Sequence, residues 1–318
     1  MDCLPRQLGP YRLLRRVGAG GMAEVFLALT FGASGFEKRV AIKTLLPGLR
    51  DNARLQRSLI EEARLGARLQ HRNLVQVHDL GLADGVYFVR MDFVDGADLG
   101  SLLARERPSA ALSLLIAEET VLALAYLHAA DDDEGRPLGL VHRDVSPGNI
   151  LVSRAGEVKL SDLGIVKATM LADVTQVNIV KGKYAYMSPE QAGRAPLDAR
   201  TDQFGLGVTL MELLTGRRPY EGETPMELME RIRATAPPDL RGVDRDLRAL
   251  LRRCLARDPA DRFADDEELR AAIARCRRKR LASPADLAAW VGGLLADRDT
   301  QGESDGDAAG EGTRETAG

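Results

Sequence analysis

Over the first ninety positions, apolar and polar residues alternate in short runs. Tyr11-Arg-Leu-Leu14 and Phe26-Leu-Ala28 flank a glycine cluster and predict strand, turn, strand over residues 11–29. Arg39-Val-Ala-Ile-Lys43 predicts a further strand. From Asn52 to Leu69 the period changes. Leu55, Leu59, Ala63 and Gly66 recur three or four apart, which predicts a helix. Leu74–Leu80 and Val86–Val94 read as two more strands about an Asp84-Gly85 turn. After Asp95-Gly96 helical patterns take over, which places a lobe boundary at residues 92–98. Helices are predicted over 98–106, 112–130, 200–215, 225–236, 244–256 and 265–277. A short hairpin, Ile150-Leu-Val152 with Val158-Lys-Leu160, interrupts them and turns at Ala155-Gly156. Residues 165–187 are polar and irregular, as a mobile segment would be. Pro284–Ala296 predicts one more short amphipathic helix, carrying Trp290, the only tryptophan. Residues 297–318 lack aromatics and predict a disordered acidic tail.

Composition adds few constraints. A chain of 318 residues allows two domains, or one two-lobed domain with a tail. A hydrophobic fraction of 45% and a net charge of −3 fit a soluble globular protein and suggest neither a nucleic-acid nor a membrane surface. Cys3, Cys254 and Cys276 have no metal-ligand spacing and read as thiols in a reducing compartment. The N-terminus lacks the apolar core of a signal peptide, and no apolar run reaches about 18 residues, so a cytoplasmic location is expected. Asp131-Asp-Asp-Glu-Gly135 reads as a solvated acidic insert, and His71, His78 and His128 as packing residues. Only seven lysines occur, so each one retained is more informative.

Val141-His-Arg-Asp-Val-Ser-Pro-Gly-Asn149 sets a carboxylate, Asp144, and an amide, Asn149, on a loop between apolar runs. Such a carboxylate can accept a proton from a hydroxyl, and the amide oxygen can bind a hard cation such as Mg2+. In Gly18-Ala-Gly-Gly21 the glycines let backbone N–H groups approach a phosphate closely. The dinucleotide fingerprint requires a helix after the glycines. Glu24–Leu29 reads as a strand instead, so a hairpin lid over phosphates is expected. Lys43 ends an apolar strand and can aim its ammonium at those phosphates. Glu62 shares a helix side with Leu59 and Gly66 and can point inward towards a lysine, while Glu61 is expected in solvent. Asp162, after a strand and before Leu163-Gly164, can project its carboxylate towards a bound cation.

In order and spacing, these motifs, with Ser188-Pro-Glu-Gln191, form the protein-kinase signature set. From about residue 11 to 275 the chain resembles the Ser/Thr protein kinases of the bacterial eukaryotic-like branch. Tyr186-Met-Ser-Pro-Glu-Gln191 and Asp258-Pro-Ala-Asp-Arg-Phe263 sharpen the placement. The resemblance implies an α+β bilobal fold, with a small antiparallel sheet and one long helix in the N-lobe (about 11–94) and a mostly helical C-lobe (about 95–277). Residues 1–10 would be an extension, and 278–296 a basic stretch with a short helix. It implies ATP and Mg2+ as cofactors, protein Ser/Thr hydroxyls as acceptors, and a homodimer for autophosphorylation.

The resemblance also assigns roles. The backbone of Val17, Gly18, Ala19, Gly20, Gly21, Met22, Ala23, Glu24 and Val25 would cover the nucleotide phosphates. Lys43, held by Glu62, would pair with the α and β phosphates. Asn149 and Asp162 would bind Mg2+, and Asp144 would take the acceptor proton. Ala41, Val25 and Leu151 would sandwich the adenine, with Met91 as gatekeeper and the backbone of Asp92 and Val94 as hinge. Glu190 and Arg262 would pair in the interior, and Asp202 would hold the catalytic loop's backbone. Arg143 would anchor a phosphate on Thr169 or Thr175, Thr175 being favoured.

Four positions depart from the pattern: Ala23 for a glycine, Leu163 for phenylalanine, Ser146 for the lysine two after Asp144, and Lys183 for the threonine after Gly182. The last two look reciprocal, and Lys183 is expected to supply the cation that Ser146 lacks. The alternatives are a kinase-fold protein that binds ATP with little transfer, and a phosphotransferase of the aminoglycoside-kinase type, which shares Asp144 and Asn149 but not Ser188-Pro-Glu190 or Arg262.

Overall fold

The computed structural model describes residues 4–164, 184–222, 224–234 and 238–307, the side chains of 297–307 excepted. Six strands, β1 (Arg6–Leu8), β2 (Tyr11–Ala19), β3 (Ala23–Phe31), β4 (Glu37–Leu45), β5 (Val77–Ala83) and β6 (Val86–Asp92), form one antiparallel sheet. Its order is β1-β2-β3-β4-β6-β5. The period of two gives the sheet two apolar faces. Leu13, Phe26, Ala28, Val40 and Ile42 fill one. Ala41, Leu45, Val89 and Met91 fill the other, against Leu55, Leu59 and Ala63 of α1 (Ala53–Arg68). Asn52 caps α1 by accepting from the backbone N–H groups of Arg54 and Leu55.

The second lobe holds a small sheet, β7 (Gly96–Asp98), β8 (Ile150–Ser153) and β9 (Val158–Leu160), and a group of helices. These are α2 (Leu99–Leu103), α3 (Ala110–His128), α4 (Pro189–Gly193), α5 (Arg200–Thr215), α6 (Pro225–Ala234), α7 (Arg245–Cys254), α8 (Asp266–Arg277) and α9 (Pro284–Asp307). One continuous apolar core joins them. α3 and α5 are buried on nearly every side and so lack a polar stripe. Contrary to the expectation that no run would be long enough, α3 is long and apolar enough to cross a membrane by length and composition, with 61% of the relevant window buried inside this lobe.

Most predicted strands and helices are found along the described chain, but the strand expected over Leu74–Leu80 begins only at Val77, and the helix expected over 98–106 covers Leu99–Leu103. Tyr184, Ala185 and Met187, at the end of the segment expected to be mobile, are buried in the core. Other differences fall at short or late elements. β1 lies inside the expected N-terminal extension because pairing of Arg6 with Leu13 recruits it to the sheet. β7 exists only through its pairing with β8. α9 continues to Asp307, eleven residues beyond the helix expected and into the stretch expected as a disordered tail. Leu287, Val291 and Leu295, spaced four apart, anchor its first half in the core. At the β8–β9 turn a Cβ on Gly156, which has φ +79°, would lie 1.9 Å from the Pro284 carbonyl oxygen, so the turn and the start of α9 approach more closely than a side chain permits. Cys254 and Cys276 are buried free thiols, and Cys3 lies outside the described residues.

Candidate active site

A cleft of about 660 Å³ opens between the lobes. Its upper wall is the β2–β3 hairpin. Gly20 N donates to Ala23 O at 2.8 Å and closes the hairpin tip. Lys43, on β4, points into the cleft and is 7% exposed. Its ammonium donates to Glu62 on α1 and to Asp162, each at 2.7 Å. Glu61, one residue away on α1, is exposed. A period of 3.6 turns Glu62 inward and its neighbour outward.

The lower wall is the loop from Val141 to Asn149. Its shape is fixed by a buried carboxylate, not by its own sequence. Asp202, at the start of α5 and 1% exposed, accepts from the backbone N–H of His142 at 2.6 Å and of Arg143 at 2.7 Å. This holds Arg143 at φ +67°, a region that costs a non-glycine residue on the order of 1–3 kcal/mol. Asp162 is also left-handed, at φ +56°. Asn149 Nδ2 donates to the Asp144 carbonyl at 2.7 Å, which orients the amide oxygen away from that bond. A Cβ on Gly164 would lie 2.8 Å from the His142 carbonyl oxygen and 3.1 Å from Asp144 Cβ. Glycine in Asp-x-Gly therefore lets the two acidic loops close on one another.

A second layer braces the loop. Glu190 accepts from Arg262 Nη1 at 2.6 Å and Nη2 at 2.8 Å, and from Thr201 Oγ1 at 2.9 Å. Gln191 Nε2 donates to the Arg143 carbonyl at 2.9 Å. His128, read from the sequence as a packing residue, instead bridges two buried acids, with Nε2 2.8 Å from Asp202 and Nδ1 2.5 Å from Asp266. Both ring nitrogens face carboxylates, so both carry protons. Nothing local in the sequence marks this role, because its partners lie 74 and 138 residues away. His78 bonds Asp92 at 2.6 Å, and His71 stacks on Tyr126.

Burial alone would lower the Lys43 pKa, but the Asp162 and Glu62 carboxylates outweigh it and hold the ammonium above its usual range. Glu62 is pushed up to about 6 by burial, which Lys43 only partly counters. The two directions are compatible, since one ammonium is shared between two acids. Burial would also lower His128, but hydrogen bonds to Asp202 and Asp266 raise it to about 9. Arg262 lowers Glu190 against the upward push of burial.

Residues 11–272 match the protein kinase domain family. Among curated relatives, the tyrosine-protein kinase MasK of Myxococcus xanthus is 41% identical over 226 residues, covering 70% of this chain and 35% of that protein. The serine/threonine-protein kinase PrkC of Bacillus subtilis is 34% identical over 233 residues, covering 72% of this chain and 34% of that protein. The crystal structure of the Mycobacterium tuberculosis PknI kinase domain is similar with a TM-score of 0.63 at 28% identity, covering 86% of this chain and 99% of that one.

The chain belongs to the protein kinase family. It spans about a third of the length of MasK and PrkC. Members of the family use ATP with a divalent metal, and the cleft suits both. Its volume lies within the range of about 300–1,000 Å³ for small-molecule sites. Asn149 and Asp162 offer one amide oxygen and one carboxylate, too few for a cage but suited to an ion that keeps waters and phosphate oxygens. The metal would offset the charge that develops on the phosphates. Of the described residues that the kinase resemblance assigns to nucleotide, metal or catalysis, all but Gly21 and Glu24 line the cleft. Gly21 and Glu24 sit on the hairpin without facing it, and Lys183, Thr169 and Thr175 lie outside the described residues. Asp98 and Ser101, at the start of α2, also line the cleft and escaped the sequence reading. Their signal was the Asp-x-x-Ser cap, in which Asp98 accepts from Ser101 N at 2.9 Å.

Proposed function

We propose that the chain is an ATP-dependent protein serine/threonine kinase that transfers the γ-phosphate of Mg-ATP to protein hydroxyls. The observation that carries this is the convergence of Lys43, Asp144, Asn149 and Asp162 on one cleft, with Lys43 bonded to Glu62. In this reading Lys43 orients the phosphates, Asn149 and Asp162 hold Mg2+, and Asp144 orients the acceptor hydroxyl and takes its proton. The catalytic contribution is positioning and electrostatics. Autophosphorylation at Thr169 or Thr175, through a homodimer, supplies an anion for Arg143. The buried Arg143 Nε has no hydrogen-bond partner among the described residues, which supports this. Lys183 stands in for the cation that Ser146 lacks, and the site acts in the cytoplasm without contacting nucleic acid or membrane.

The test is transfer of labelled phosphate from Mg-ATP to the chain itself and to a generic basic protein, beside Asp144→Asn. Incorporation lost in that variant supports the proposal. ATP binding without incorporation favours the kinase-fold protein that binds ATP with little transfer instead. Lys183→Ala should lower kcat by about tenfold, and unchanged kinetics would remove its role. One finding favours a second acceptor class: a relative at 41% identity is named a tyrosine kinase. Ser146, short where a lysine is usual, lines the cleft beside Asp144. Phosphoamino-acid analysis of the same reaction separates phosphotyrosine from phosphoserine and phosphothreonine.

A further inference from the structure

Glu24 follows the tip of the lid, yet its side chain does not face the cleft. Val25 lines the cleft, and the period of two in β3 turns Glu24 to the opposite side. There it is only 6% exposed. A buried carboxylate needs cationic partners. Glu24 has Arg50 at 3.5 Å and the more exposed Arg16 of β2 at 3.9 Å.

Arg50 is not part of the lid. It lies in the connection between β4, which carries Lys43, and α1, which carries Glu62. Its Nε donates to the Leu45 carbonyl at 3.3 Å, and its own carbonyl accepts from Gln56 Nε2 on α1 at 2.6 Å. Two residues before Glu24, the Met22 carbonyl accepts from Leu46 N at 2.8 Å. The lid is thus tied twice to one connection, by backbone at residue 46 and by charge at residue 50.

We propose that Glu24 and Arg50 are a positioning pair that couples closure of the lid over the phosphates to the placement of α1, and so to the Lys43–Glu62 contact. The inference rests on the reading of the cleft as a nucleotide site. A lid that lifts must part Glu24 from Arg50 or drag the connection with it. A helix that swings outward pulls on Arg50 through Gln56 and strains the same pair. Neither side chain lines the cleft, so the pair acts on nucleotide affinity only through geometry.

The experiment measures the dissociation constant of Mg-ATP on the full chain carrying Asp144→Asn, so that no transfer is needed. Glu24→Gln and Arg50→Gln are added singly and together, with Arg50→Lys as the variant that keeps the charge. Each glutamine variant should weaken Mg-ATP binding about three- to tenfold, and the pair together no more than either alone, as expected of coupled partners. Arg50→Lys should recover most of the affinity. A thermal midpoint taken alongside separates coupling from loss of fold. Lowered midpoints with an unchanged dissociation constant, or losses that multiply in the double variant, would overturn the pairing while leaving the nucleotide site intact. If Arg50→Gln does not fold, Arg50→Lys and Glu24→Gln still decide the matter by the same constants. No Mg-ATP binding by the otherwise unsubstituted chain would overturn the nucleotide reading and the proposal with it.

Discussion

His128 should make this fold lose stability as pH rises. Its ring lies between Asp202 and Asp266 with its side chain 8% exposed, and its pKa is raised from 6.5 to about 9. At about 1.4 kcal/mol per unit, that rise corresponds to roughly 3 kcal/mol favouring the folded, protonated ring. A second route gives a similar figure. Replacing His128 by Gln leaves two buried carboxylates without their shared cation, and breaking a buried pair typically costs about 3–5 kcal/mol. The folded pKa lies above the unfolded one, so the folded state holds the proton more tightly. The stabilisation is complete below about pH 6.5 and fades as pH rises through about 9. Urea unfolding at pH 6, 7.5 and 9 tests this. The unsubstituted chain should lose about 2–3 kcal/mol from this site across the series. His128→Gln should be less stable by a similar amount at pH 6 and should lose the pH slope. Equal slopes in the two proteins, or a loss under about 1 kcal/mol at pH 6, would refute the account. Asp202 also holds the backbone of His142 and Arg143, so kcat should fall in the variant as well.

Three further outcomes follow from the same geometry. Glu62 must be ionised to hold Lys43, and its pKa is about 6, so kcat/KM for ATP should fall as pH drops through that value. Glu62→Gln should abolish this acid limb and lower kcat/KM by about a hundredfold; a pH profile of both proteins checks it. Arg262→Met should destabilise the fold by about 3–5 kcal/mol, because among the described residues it leaves Glu190 with Thr201 as its remaining side-chain partner, and thermal unfolding measures this. Gly156→Ala should cost about 1–3 kcal/mol and push α9 away from the β8–β9 turn, seen as a red shift of Trp290 fluorescence.

Much of this site is legible in the sequence because its parts are local. Gly18–Gly21 needs a hairpin, and strand alternation on either side supplies it. Lys43 ends an apolar strand. Glu62 faces inward because a period of 3.6 puts it beside Leu59 and Gly66. Asp144 and Asn149 are five residues apart on one loop. The period of an element and the chemistry of its side chains decide such features without reference to distant chain.

What only the tertiary structure decided involves partners far apart in the chain. Lys43 meets Asp162 across 119 residues, and shares its ammonium between two acids. His128 reads as a helix-end residue until α5 and α8 bring Asp202 and Asp266 to either side of its ring. The left-handed backbone at Arg143 is paid for by a carboxylate 59 residues later. β7 is a strand only because β8 lies beside it. Glu24 reads as lid backbone until its buried side chain is found against Arg50. Periodicity fixes which way a side chain faces within its own element, but the charge it meets there depends on how the elements pack. That packing sets the burial, and therefore the pKa values and couplings on which this site depends.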